Sequence, residues 1–261
     1  MSSLLNSNRQ EVFYDHFSGI AAQYARHRPR YPQELFRTLA ILAPSRQSAW
    51  DCATGNGQAA VGLAEVFEHV TATDASAEQL RHAEPRGNIE YRVARAENSG
   101  LKPDSVDVLT VAQAVHWFDI DRFYAEARRV LKPEGIIAVW TYHHATIEPA
   151  IDEAFLQWHE TIASYWPPER RWVDERYATL PFPFAEEPLS NNSQQFQMTA
   201  QWNYKDYVGY LRTWSAVKNY QAQHHTDPVH LLEHQLKTLW QPDEVKEIVW
   251  ALHIRCGRVT A

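Results

Sequence analysis

The segment "AWDCATGNGQAA", residues 49 to 60, places Asp51 at the end of a short apolar run and then sets Gly55 and Gly57 one residue apart. Glycine takes positive φ without steric cost and lets the backbone approach a ligand closely. In an open parallel sheet such a turn follows the first strand, at the carboxyl ends of the strands where ligands bind. Asp74 closes the next β-branched run, "HVTATD". An acidic side chain there can accept hydrogen bonds from both hydroxyls of an adenosine ribose. Gly55-x-Gly57-x-x-Ala60 also fits the loose dinucleotide fingerprint. The glycines and the aspartate by themselves leave a dinucleotide and a phosphate-free nucleoside both open. No Gly-Lys-Ser/Thr follows, which excludes a P-loop. Asp51 favours a ligand with a cationic ammonium and would repel a pyrophosphate.

Two histidines stand where an acceptor group could be handled. His116 follows the expected fourth strand and His143 the fifth, both at the ligand end of the sheet. An imidazole titrates near neutrality and can take a proton. His143-His144 and His224-His225 are adjacent pairs, not partners on one helix face, so no metal site is expected. Aromatic residues make up 12% of the chain. Trp117, Trp140, Tyr142, Trp166, Trp172, Tyr210 and Trp214 suit a partly buried pocket for an apolar or planar molecule. Arg170-Arg171 could meet a carboxylate.

These groups need a scaffold, and the chain between 48 and 142 supplies one. "SAWDCA", "HVTATD", "NIEYRVA", "SVDVLTVAQA" and "IIAVWTY" read as five strands, separated by helical patterns at 57–67, 76–84 and 120–131. Ser76 and Gln79 have capping-box spacing. The alternation implies an α/β, Rossmann-like, doubly wound and mostly parallel seven-stranded sheet. After Tyr142 the pattern turns aromatic and proline-rich. Four regions are expected: an N-terminal segment (1–47) folding over the site, a cofactor-binding core (48–142), an inserted aromatic cap (143–193), and a C-terminal part (194–261) that completes the sheet. In that last part, 194–202 reads as a strand, 204–220 as one helix, and 242–254 as a helix running into a final strand.

Composition bounds the rest. The 261 residues carry a formal net charge of −7, so a nucleic-acid footprint is not expected. Two cysteines without a Cys-x-x-Cys give neither a zinc finger nor a disulfide framework, and Cys52, in a strand context, is expected to be a buried small hydrophobe. The N-terminus has no basic start leading into an apolar run, and no stretch approaches the ~20 apolar residues of a membrane helix. A cytoplasmic protein is expected.

Taken in order, "AWDCATGNGQ", "TATDAS", "VARAENSGLKPDSVDVLTVAQAVHWFD" and "RVLKPEGIIAVW" resemble the class I S-adenosylmethionine-dependent methyltransferases. They are most similar to the small-molecule branch that includes trans-aconitate methyltransferase-like proteins. "YDHFSGIAAQYARHRPRYP" near the N-terminus adds to the resemblance, which covers about residues 13 to 142. It implies S-adenosyl-L-methionine as cofactor and a small organic acceptor, an acid or its ester being one option. It further implies that Asp51, Gly55 and Gly57 contact the methionine end and Asp74 the ribose. Ala96 and Glu97 would edge the adenine, Gln113 would lie beneath the cofactor, and Tyr24 and Arg28 would close over the carboxylate. Where many members have a glycine two residues after the strand aspartate, this chain has Ala53, which implies a tighter backbone without loss of binding. An NAD-dependent dehydrogenase and a non-catalytic cofactor-binding regulator are the alternatives.

Overall fold

The computed structural model describes residues 29–189 and 196–260. Tyr24 and Arg28 lie outside the described residues. Helix α1 (Gln33–Leu42) precedes strand β1 (Ser48–Cys52), and the glycine turn leads from β1 into α2 (Gln58–Ala64). Then follow β2 (His69–Asp74), α3 (Ala77–Arg81), β3 (Ile89–Val93), β4 (Val106–Ala112), α4 (Ile120–Val130) and β5 (Leu131–Tyr142). The order across the sheet is β3-β2-β1-β4-β5 and all four pairings are parallel. The chain therefore reverses its direction of winding between β1 and β4, and the crevice at their carboxyl ends is the switch point where such sheets bind ligands.

Side chains alternate across the sheet as a strand requires. Ile136, Ala138, Trp140 and Tyr142 of β5 face the core under α1 and α2, whereas Ile137 and Val139 face the core under α4. Phe123, Tyr124, Ala127 and Val130 are the buried stripe of α4, the periodicity expected from the sequence.

Beyond β5 come α5 (Pro149–Ile162), the short α6 (Arg171–Asp174), β6 (Ala185–Glu186), β7 (Gln197–Trp202), α7 (Tyr204–Leu211), α8 (Ser215–His224), α9 (Val229–Leu239) and β8 (Lys246–Arg258). β8 lies antiparallel to β5, with β6 ending a path of seven strands and β7 pairing with β8 off that path. Helix α5 packs on α9, so the residues after 143 and those after 204 build one aromatic layer together.

Two expectations from the sequence give way here. Residues 204–220 are two helices, not one: α7 stops at Leu211 and α8 restarts at Ser215, leaving Thr213 and Trp214 to turn inward. The expected helix at 242–254 is strand from Lys246 onward. Ile248, Trp250, Leu252, Ile254 and Cys256 are the buried set, a period of two that the short apolar run concealed. Cys52 and Cys256 are both buried. Among the described residues no helix is long and apolar enough to cross a membrane.

Candidate active site

The turn after β1 is held by left-handed backbone at Ala53 (φ 54°), Gly55 (φ 58°) and Gly57 (φ 87°). For alanine that conformation costs roughly 1–2 kcal/mol, because Cβ crowds the following carbonyl. A side chain at Gly57 is excluded by space as well, since a Cβ there would stand 2.5 Å from the Tyr91 hydroxyl. Asp74 anchors the turn from the end of β2: its Oδ2 accepts the Gly55 amide at 2.8 Å and its Oδ1 the Ser76 amide at 2.8 Å. Ser76, not Asp74, caps α3, its Oγ accepting the Gln79 amide.

Asp51 lies in β1 just before the turn. It is buried below the turn, with Oδ1 accepting from Thr110 Oγ1 at 2.8 Å and Oδ2 from Thr54 Oγ1 at 2.5 Å. Burial raises its carboxyl to about 6 against the opposing pull of these hydroxyls. Its charge thus acts from beneath the turn. Ala96 is buried, and Glu97 accepts the Asp119 amide at 3.1 Å, both just beyond β3.

A second feature opens at the ends of β4 and β5. Gln113, His116, Trp117, Tyr142, His143, Trp166, Arg170, Tyr210 and Trp214 line a cleft of about 690 Å³, counted to its open mouth. Five of the seven aromatics expected in a pocket are there. Trp140 is instead fully buried on the α1 side, edge-on to Tyr31 and Phe36. Trp172 packs into the core beneath α4, with Arg171 over its ring. Arg170 lies over Trp166, its guanidinium carbon 4.0 Å from the ring centre, and donates to Asp174 at 2.9 Å.

The two histidines differ in kind. His143 Nε2 is 3.0 Å from Asp174 Oδ1. Although burial pushes Asp174 up, hydrogen bonds from His143 and Arg170 bring its carboxyl to about 2. His116, by contrast, is 7% exposed with Nδ1 2.9 Å from the Tyr177 hydroxyl, and burial lowers its imidazole to about 3. Burial thus favours the neutral form of the His116 ring. Behind the cleft, His144 and His159 are also driven down by burial, to about 2 and about 4.

A model of the methyltransferase domain matches residues 50–139. A Dictyostelium discoideum protein named as a methyltransferase is 35% identical over 208 residues, 78% of each chain. The chain belongs to the class I S-adenosylmethionine-dependent methyltransferases. The solved structure of a protein from Anaeromyxobacter dehalogenans, named as a type II methyltransferase, superposes on this methyltransferase with a TM-score of 0.81. It is 42% identical and covers 89% of this chain and 98% of its own. A Saccharomyces cerevisiae protein named as an S-adenosylmethionine-dependent methyltransferase is 28% identical over 155 residues, 56% of this chain and 50% of that protein.

The methyl donor of this methyltransferase is S-adenosylmethionine, and the residues present fit it. The turn brings bare backbone at Gly55 and Gly57 to the carboxyl end of β1, with the Asp74 carboxylate bonded to it from the end of β2. Asp51 places a carboxylate, not a cation, next to the turn through Thr54, and a negative charge there disfavours a pyrophosphate. The buried Oε1 of Gln79, without a partner among the described residues, stands 3.9 Å from where a Gly55 Cβ would be.

Asp174, Tyr177 and Thr141, whose hydroxyl donates to Gln113 Oε1 at 2.6 Å, were missed by sequence reasoning. Asp174 and Tyr177 lie in the turn-rich stretch after Trp166, where no periodicity aims a side chain. Thr141 could have been found as the inward neighbour of Tyr142 at the end of β5.

Proposed function

We propose that this methyltransferase acts on a small organic acceptor bound in the aromatic cleft, by in-line displacement. The observation that carries the reading is the position of the cleft: Gln113 and His116 lie directly after β4, and Tyr142 and His143 at the end of β5, beside the switch point that holds the glycine turn. Asp51, Gly55, Gly57 and Asp74 would hold the cofactor, with Ala96 and Glu97 along the adenine and Gln113 beneath.

When bound, S-adenosylmethionine supplies an electrophilic methyl group on a sulfonium sulfur. The protein's contribution is then alignment and a dry site. Trp166 and Trp214, with ring centres 5.4 Å apart, shape one wall for a planar or apolar body. Arg170, fixed by Trp166 and Asp174, offers positive charge at the rim. His143 is the group placed to carry a proton out to solvent, because Asp174 holds its ring at 3.0 Å. A cleft of this size admits a metabolite and not a polynucleotide groove, in keeping with the negative charge of the chain.

Labelled S-adenosylmethionine incubated with the protein and a metabolite panel tests the reading. Label in a small product supports it; label in bulk protein or RNA, with none in the panel, contradicts it.

A further inference from the structure

Among the described residues that line the aromatic cleft there is no Asp or Glu, and Arg170 is the single Arg or Lys. It stands on the 3-10 turn Pro168–Arg170, which packs against the turn Val115–Trp117 that follows β4. Its neighbour Arg171 does not line the cleft and lies toward Trp172 instead. Two contacts fix the Arg170 guanidinium. One face covers the Trp166 ring at 4.0 Å, and Nε donates to Asp174 Oδ1 at 2.9 Å. That bond uses the one hydrogen on Nε; the four on Nη1 and Nη2 have no partner among the described residues. The side chain is only 16% exposed, so these donors are largely withdrawn from water and are satisfied best by an acceptor on a ligand. Asp174 is not among the lining residues and engages the Nε side alone. The part of the fork left for the cleft is therefore an oriented set of N–H groups.

We propose that Arg170 is the specificity-determining residue of the cleft: it anchors a carboxylate of the acceptor through Nη1 and Nη2, and the methyl group goes to a different atom of that molecule. A planar guanidinium matches a carboxylate with two parallel N–H groups facing two oxygens. Trp166 and Trp214 stand beside it as an aromatic wall, so the acceptor that fits is an aromatic acid carrying a separate hydroxyl or amine. The anchored carboxylate is a poor attacking group, because its lone pairs and charge are engaged by the arginine. In the transfer the lone pair of the hydroxyl oxygen or amine nitrogen forms the bond to the methyl carbon. The C–S bond breaks with its electron pair left on sulfur, and the freed proton leaves to solvent through the open mouth. A cationic acceptor meets like charge at Arg170 and is rejected, the repulsive half of specificity. The assignment rests on the small-acceptor reading of the cleft, but the anchor itself is read by binding alone.

The test is calorimetric titration of the full chain, saturated with S-adenosylhomocysteine, with benzoate and with its neutral isostere benzamide. Benzoate should bind more tightly by about 10-fold or more, the scale of a charged hydrogen-bond pair. In Arg170→Met, which keeps a long side chain beside Trp166, the preference should vanish. Arg170→Lys should restore only part of it, because an ammonium lacks the fork. Retained binding of S-adenosylhomocysteine shows that each variant is folded, and the comparison in the unaltered protein decides if neither folds. Equal affinity for the two probes, binding of neither, or a preference that survives Arg170→Met overturns the proposal. With hydroxybenzoates, aminobenzoates and labelled S-adenosylmethionine, label on the hydroxyl or amine supports it and a methyl ester of the carboxylate overturns it. A benzoate preference that is lost in Arg170→Met, with no small methylated product, upholds the anchor and counts against the acceptor reading alone.

Discussion

The Gly55 amide donates to Asp74 Oδ2 at 2.8 Å, so the carboxylate at the end of β2 and the turn after β1 form one unit before any ligand arrives. A cofactor whose hydroxyls donate to Asp74 meets a carboxylate already oriented by Gly55 and Ser76. Asp74→Ala should therefore loosen the turn as well as remove a ribose contact. We expect S-adenosylhomocysteine to bind on the order of 10²-fold more weakly in calorimetry, the scale of a lost charged hydrogen-bond set.

Asp51 should cost stability while it serves binding. Its native carboxyl is raised to about 6, above the ordinary 3.8. The folded state then holds its proton more tightly than the unfolded chain. Stability falls as pH rises from 3.8 through about 6, and the cost persists above that range. Asp51→Asn is expected to be more stable at pH 8 by on the order of 1–3 kcal/mol and to bind the cationic cofactor more weakly. Thermal melts at pH 5 and pH 8, with and without S-adenosylmethionine, check both halves.

At Ala53 the backbone carries a conformation suited to glycine. Ala53→Gly relieves about 1–2 kcal/mol of native strain, and part of that is returned through the freer unfolded chain. A net gain of roughly 0.5–1 kcal/mol in denaturant unfolding is expected, with cofactor affinity unchanged. The turn carries alanine at a position whose left-handed backbone glycine would hold without strain.

Removing His143 while keeping the turn intact separates chemistry from binding. His143→Ala should lower kcat by about 10²-fold toward a hydroxyl acceptor and leave S-adenosylhomocysteine affinity unaltered. Trp166→Leu should act the other way, raising the acceptor KM about 10-fold with a smaller change in kcat, since it removes a wall and not a proton path.

The sequence was most informative where local pattern and global fold agree. The five parallel strands, the glycine turn, Asp74 and the histidines after β4 and β5 all follow from period and spacing, and the sheet places them at one end. The cap was legible mainly as an aromatic excess. Its geometry depends on long-range packing, such as Trp214 turning in between α7 and α8 to meet Trp158 and Trp166, which no local period encodes. Tyr177 shows the same limit. It reaches His116 through consecutive left-handed residues, Arg176 (φ 57°) and Tyr177 (φ 60°), neither a residue type that announces such a turn. The strand at 246–258 was misread at its start because a short run of Val, Ile, Trp and Leu suits both periods until its neighbours are known.

Isothermal titration of the unaltered protein and of Gly57→Ala with S-adenosylhomocysteine and with NAD tests the grip of the turn most directly. The expected result is tight binding of the sulfur nucleoside, none of NAD, and loss of the former when a Cβ is placed against Tyr91. Binding of NAD, or undiminished binding of S-adenosylhomocysteine by Gly57→Ala, would contradict a cofactor site built on that turn.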